Sequence, residues 1–142
     1  IDKSENRNQV FYGARVDEAC RPLGASPLYA YWRMRELGPT QTEALLSHEQ
    51  PGYGLETQQL VSRASAGGGS VRARLRAWPN RPLRIDLFRS PTGCAARASA
   101  EIQHRPAIIQ SIYIDIGFLF SVNYAIVRGF RISDGHAVQE KY

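Results

Sequence analysis

The sequence predicts an all-β domain with one short helix, built as an antiparallel up-and-down barrel or a two-layer sandwich of eight or nine strands. Three observations predict it. Apolar and polar residues alternate in several short runs, such as VRARLRAW (71–78) and LRIDLF (83–88). Strict alternation sends one set of side chains to a core and the other to water, as in a half-buried strand. Gly- and Pro-containing turns separate these runs at hairpin lengths. Only one segment, near 40–50, carries helix start and stop signals.

Residues 1–8 are polar and read as a loose segment, and 9–142 as a single β domain. VFYGARV (10–16) is the first strand, and ACRPLGASP (19–27) a loop. In LYAYWRMRE (28–36), Leu28, Ala30, Trp32 and Met34 alternate with Tyr29, Tyr31, Arg33 and Arg35. Thr40 and Glu43 then have capping-box spacing, helix formers follow, and Pro51–Gly52 ends the segment. TQQLVSRAS (57–65) leads into the Ala66–Gly69 turn. PNRP (79–82) and SPTG (90–93) read as turns. AARASAEIQ (95–103) is a strand or a weak helix, and Arg105–Pro106 breaks the chain. IIQSIYIDIGF and NYAIVRGFRI are strands joined near Ser121. Ser133–Asp134–Gly135 marks a hairpin turn before the last strand, HAVQEKY.

With 142 residues, one domain can bury a sizeable core. Sixteen of the 18 basic side chains are arginine, and the net charge is +5. A modest positive charge favours acidic partners without selecting one. No stretch reads as a transmembrane helix, because Gln110, Asp115 and Asn123 interrupt the most apolar run. Cys20 and Cys94 fit no metal spacing. They are either one disulfide or two buried thiols. The chain begins at Ile1, which reads as a processed or trimmed start. Processing together with a disulfide would place the protein outside the cytoplasm, periplasmic or secreted.

The run LYAYWRMRELGPTQTEALLSHEQPGYGL joins a Tyr-Trp-Arg strand to a Tyr-Gly exit. The tail adds the bulky-Gly-bulky step Arg128–Gly129–Phe130, then Ser133–Asp134–Gly135 and Val138–Gln139–Glu140. In these features residues 9–142 resemble the bacterial family catalogued as domain of unknown function 4833. The family pattern usually has Ala before the Tyr-Gly, where this chain has Gly52. The resemblance implies a small exported bacterial domain and carries over no catalytic residue.

Chemistry-bearing patterns are sparse. His48, His104 and His136 are scattered, with no metal-ligand spacing, so no metal or other cofactor is expected. Gly67–Gly68–Gly69 lacks the Lys-Ser/Thr of a phosphate loop, and no nucleophile elbow is present. No catalytic residue stands out, and an uncharacterised enzyme is the third-ranked reading. Asp86 and Asp115 sit in alternating strands and would need partners if they faced inward. The strand aromatics allow a ligand pocket inside a barrel, with Tyr29, Tyr31 and Tyr113 as walls and Arg33 or Arg84 holding an anionic group. Side chains filling that interior are the plainer reading.

Arg72, Arg74, Arg76 and Arg84 share the polar face of one hairpin. The plain reading is a solvated face guarding against edge-to-edge pairing. The functional one is docking on an acidic protein surface or on lipid headgroups at a membrane surface, since arginine pairs carboxylate or phosphate at two points. Nucleic acid is not expected, because it would need higher charge and interleaved aromatics. The leading expectation is a non-catalytic exported accessory domain docking on a larger protein assembly. A carrier of a small ligand in a barrel interior is the alternative.

Overall fold

A computed structural model describes residues 8–35, 41–45, 54–64 and 66–142. Its strands are β1 (Asn8–Ala14), β2 (Leu28–Arg35), β3 (Gln41–Leu45), β4 (Leu55–Arg63), β5 (Gly69–Leu75), β6 (Trp78–Ser90), β7 (Gly93–Ile102), β8 (Arg105–Ile116), β9 (Val122–Arg131) and β10 (Ala137–Lys141). They form a three-stranded antiparallel sheet, β1-β2-β3, and a seven-stranded meander, β10-β9-β8-β7-β6-β5-β4. β4 and β10 are edges rather than neighbours, so the meander does not close and the architecture is a sandwich, not a barrel.

The expected helix near 40–50 is corrected where the structure describes it. Gln41–Leu45 is strand β3, in register with β2 from Arg35↔Gln41 to Tyr31↔Leu45. A helix of about three turns is marginal alone. The open edge of β2 offers the same backbone a ladder instead. Residues 46–50 of that expectation, and 1–7 of the loose segment, lie outside the described residues.

Two turns also move. The prolines of 79–82 lie inside β6, and the β5–β6 turn is Arg76–Ala77, closed by the pair Leu75↔Trp78. Pairing with β5 resumes at Leu83 and pairing with β7 begins at Arg84, so Pro79 and Pro82 sit where no ladder needs their missing N–H. Arg105–Pro106 opens β8, and the preceding turn is Gln103–His104, with φ of 53° and 61°. The ambiguous segment at 95–103 is strand, β7.

Alternation is literal in β5, where Val71, Ala73 and Leu75 are buried between exposed Arg72 and Arg74. The core adds Leu28 and Leu55, then Trp78, Leu83, Ile102, Ala107 and Val127. Burying each large member contributes about 1.5–3 kcal/mol. Gly129 is required by close approach: a Cβ there would stand 2.2 Å from the Ile108 carbonyl oxygen. Gly68 combines φ of +79° with a similar clash against Leu87.

The long sheet curls until its two halves touch. The Tyr142 ring lies 5.2 Å from Trp78, although β10 and β6 are four places apart. Arg81 reaches Glu140 at 3.6 Å across the same gap, and Glu101 on the neighbouring β7 at 3.4 Å. The connection between β1 and β2 is pinned to the meander. Cys20 and Cys94 form a disulfide. The Gly68 N–H donates to the Ala19 carbonyl at 2.8 Å, and Arg63 Nε to that of Pro22 at 2.7 Å. The Gln58 side chain pairs with both the N–H and the carbonyl of Leu28, tying the small sheet to the large one.

Candidate functional site

The outer face of the meander gathers the basic residues. Cross-strand register aligns Gln59, Arg72, Arg84, Ser99, Ile108 and Phe130 in one row. Arg74 lies beside it, opposite Thr57. Arg72 and Arg74 are exposed, and among the described residues neither has a carboxylate at ion-pair distance. Arg76 stands in the β5–β6 turn at the rim of this face, its N–H bonded to the Gly54 carbonyl.

Arg84 is held differently. Its Nε donates to Asp86 Oδ1 at 2.9 Å and its Nη2 to Ser70 Oγ at 3.1 Å. Ser70 Oγ donates to the same Asp86 oxygen at 2.6 Å. Partial burial works to raise the Asp86 pKa, but the Ser70 and Arg84 hydrogen bonds and the Arg84 charge outweigh it and hold the carboxyl below its ordinary value. Asp86 thus faces outward with its partners supplied by strand register.

Arg97 is a member that sequence reasoning missed. It lies opposite Asp86 and over the Phe88 ring, 5.8 Å from its centroid. The alanines of β7 hid the alternation that would have shown it. Beside Arg84 a groove of about 490 Å³ is bounded by Arg81, Pro82, Ser99, Glu101, His104 and Ile132. The face therefore offers fixed positive charge and a recess next to it.

The sequence-proposed pocket residues fall into separate clusters. Tyr31 stacks on Phe11 at 5.5 Å and lies 6.0 Å from Tyr29, which carries the Arg15 guanidinium at 4.9 Å. Tyr113 packs against Tyr124 at 6.1 Å on the β8–β9 hairpin. The side chain of Arg33 lies outside the described residues. The inner space instead lies between the sheets, a cavity of about 420 Å³ walled by Leu28, Leu55, Leu75, Ile85, Ala98 and Ile112 among others. None of Tyr29, Tyr31 and Tyr113 lines it.

Asp115 is buried and accepts a hydrogen bond from Asn123 Nδ2 at 2.8 Å. His104 sits in the β7–β8 turn. His136 caps the loop before β10, its N–H donating to Asp134 Oδ1 at 2.9 Å. His48 lies outside the described residues. Among the described residues no three His, Cys, Asp or Glu side chains converge as metal ligands, and no helix is long and apolar enough to cross a membrane.

Fold and surface together define a disulfide-bonded β-sandwich with a basic sheet face. The chain belongs to the family described as Domain of unknown function (DUF4833), which it matches over residues 1–141. No curated protein and no solved structure matches the chain.

Proposed function

We propose that this protein is a non-catalytic accessory domain, working outside the cytoplasm, that docks on an acidic surface of a larger protein assembly. The observation that carries the reading is the pair of exposed arginines, Arg72 and Arg74, free of carboxylate neighbours among the described residues and flanked by Arg84 and Arg97 on the same face. Guanidinium groups with no carboxylate partner among the described residues, held on a hydrogen-bonded sheet, suit two-point recognition of carboxylates. The groove beside Arg84 would receive a projecting acidic side chain. Asp86 lowers the charge locally and fixes the pose of Arg84. The extracytoplasmic setting is supported by the Cys20–Cys94 bridge, since such bonds persist in oxidising compartments.

The test is binding to an immobilised acidic polypeptide, poly-glutamate, against ionic strength. Wild type is expected to bind with an affinity that falls steeply with salt. The double variant Arg72→Glu/Arg74→Glu is expected to lose at least tenfold, with its unfolding midpoint unchanged. Equal binding by wild type and variant removes the docking face. Stronger retention on double-stranded DNA or on anionic vesicles than on poly-glutamate redirects the reading to those partners. Native mass spectrometry of the protein from its source then shows whether it travels in a heteromeric complex.

A further inference from the structure

We infer that the cavity between the sheets is a binding site for one neutral, elongated apolar molecule, a single hydrocarbon chain ending in an uncharged polar group. The site is independent of the docking face, which lies on the opposite side of the meander.

The cavity exists because one ladder stops early. β7 and β8 pair only from Ile102↔Arg105 to Ser99↔Ile108. Beyond that point β7 runs back to Gly93 along β6, and β8 runs on to Ile116 along β9. The two strands splay, and the space between them opens on the inner side. On the β7 side the wall carries Ala96 and Ala98, too small to fill the gap. The opposite side carries Ile109, Ile112 and Ile114. A normally packed interior leaves few voids larger than a water molecule. About 420 Å³ lies instead in the range of small-molecule sites.

The lining selects the ligand. Leucine, isoleucine and alanine dominate, and no Asp, Glu, Lys, Arg or His borders the space among the described residues. A charged group would enter unpaired, at a high desolvation cost. The polar side chains of the lining are Gln110 and Ser111, exposed at the β8 irregularity, and Tyr12, exposed on β1. That places an uncharged polar end at the mouth and an apolar body inside. The dimensions agree. The β8 wall from Ile109 to Ile114 spans about 17 Å at the rise of a strand. A wall of that length can lie along one extended hydrocarbon chain.

The experiment uses the intact oxidised chain and the neutral fluorophore N-phenyl-1-naphthylamine. Wild type is expected to bind one equivalent saturably, with blue-shifted emission, and 1-decanol is expected to displace it at least tenfold more effectively than decanoate at pH 8. Ala98→Trp, which fills the interior, is expected to weaken binding at least tenfold. Ser111→Trp obstructs the mouth from an exposed position and is expected to do the same, so it decides the matter if Ala98→Trp does not fold. Arg72→Glu/Arg74→Glu is expected to bind the fluorophore as wild type does, which separates this site from the docking face. The inference is overturned if wild type shows no saturable binding. Unchanged binding by both folded tryptophan variants overturns it too, as does displacement by decanoate equal to that by decanol.

Discussion

Replacing Asp86 by Asn keeps the shape of the side chain and removes its charge, which isolates the part it plays under the arginines. In the wild type the carboxylate accepts from Ser70 at 2.6 Å and from Arg84 at 2.9 Å. Hydrogen bonds to a charged group contribute about 1.5–3 kcal/mol when buried. The pair is not buried: the Arg84 side chain is 55% exposed and that of Asp86 30%, so solvent screens the ionic part to about 1 kcal/mol or less. Asn retains an acceptor for Ser70 but no charge for Arg84. Arg84 then faces Arg72 across the strand pair without compensation. Like charges in that position cost a further few tenths of a kcal/mol, up to about 1. The expected loss is about 1–2 kcal/mol near neutral pH, measured by urea unfolding.

The same variant carries a pH signature. The Asp86 pKa is below its ordinary value of 3.8 in the folded protein. A depressed carboxyl stabilises the fold fully above the unfolded pKa and loses that contribution as pH falls through the folded value. The gap between wild type and Asp86→Asn is therefore expected to be constant from about pH 5 to 8 and to close in acid. A gap under about 0.3 kcal/mol at pH 7, or one that persists unchanged in acid, would refute the reasoning.

Three other perturbations read different parts of the molecule. Removing the bridge with Cys20→Ala/Cys94→Ala opens a loop with a sequence separation of 74, and is expected to cost about 4 kcal/mol in urea with an increased m-value. Gly129→Ala forces a Cβ to within 2.2 Å of the Ile108 carbonyl oxygen and is expected to destabilise by about 2 kcal/mol or more, seen as a lower thermal midpoint. Tyr142 is pushed up to about 12, first by burial and then by its hydrogen bond and charge contact with Glu140. Its contribution to stability is expected to hold below about pH 10 and to fade from there toward about 12, followed by phenolate absorbance alongside unfolding, and Tyr142→Phe should abolish that component.

The strands most readable in the sequence are those with one wet face. β5 and the second half of β6 could be drawn from VRARLRAW and LRIDLF because every second residue is apolar. β3 was illegible because Thr40 and Glu43 carry a local helix signal, while the deciding interaction, the ladder from Arg35↔Gln41 to Tyr31↔Leu45, is tertiary. Pro79 and Pro82 misled in the opposite way: proline marks a missing donor, and only the register shows that no ladder wanted one there. The docking arginines could be grouped from sequence because neighbouring strands of one hairpin share a face. Arg97 could not, since it joins them through the pair Asp86↔Arg97. The cavity had no local signature, because it follows from where the β7–β8 ladder ends.

The bond between Cys20 and Cys94 also turns the middle of the chain into a closed covalent loop that contains β2 through β6, with β1 on one tail and the strands from β8 onward on the other. A single peptide-bond cut anywhere from 21 to 93 therefore releases no fragment: the nicked protein gains only the water of hydrolysis and stays in one covalent piece until the bridge is reduced. A cut after 94 has the opposite result, freeing a C-terminal piece that only non-covalent contacts retain. In surroundings rich in proteases, the bridge makes the basic face, which lies mainly on β5 and β6, the part of the molecule that one cleavage cannot detach.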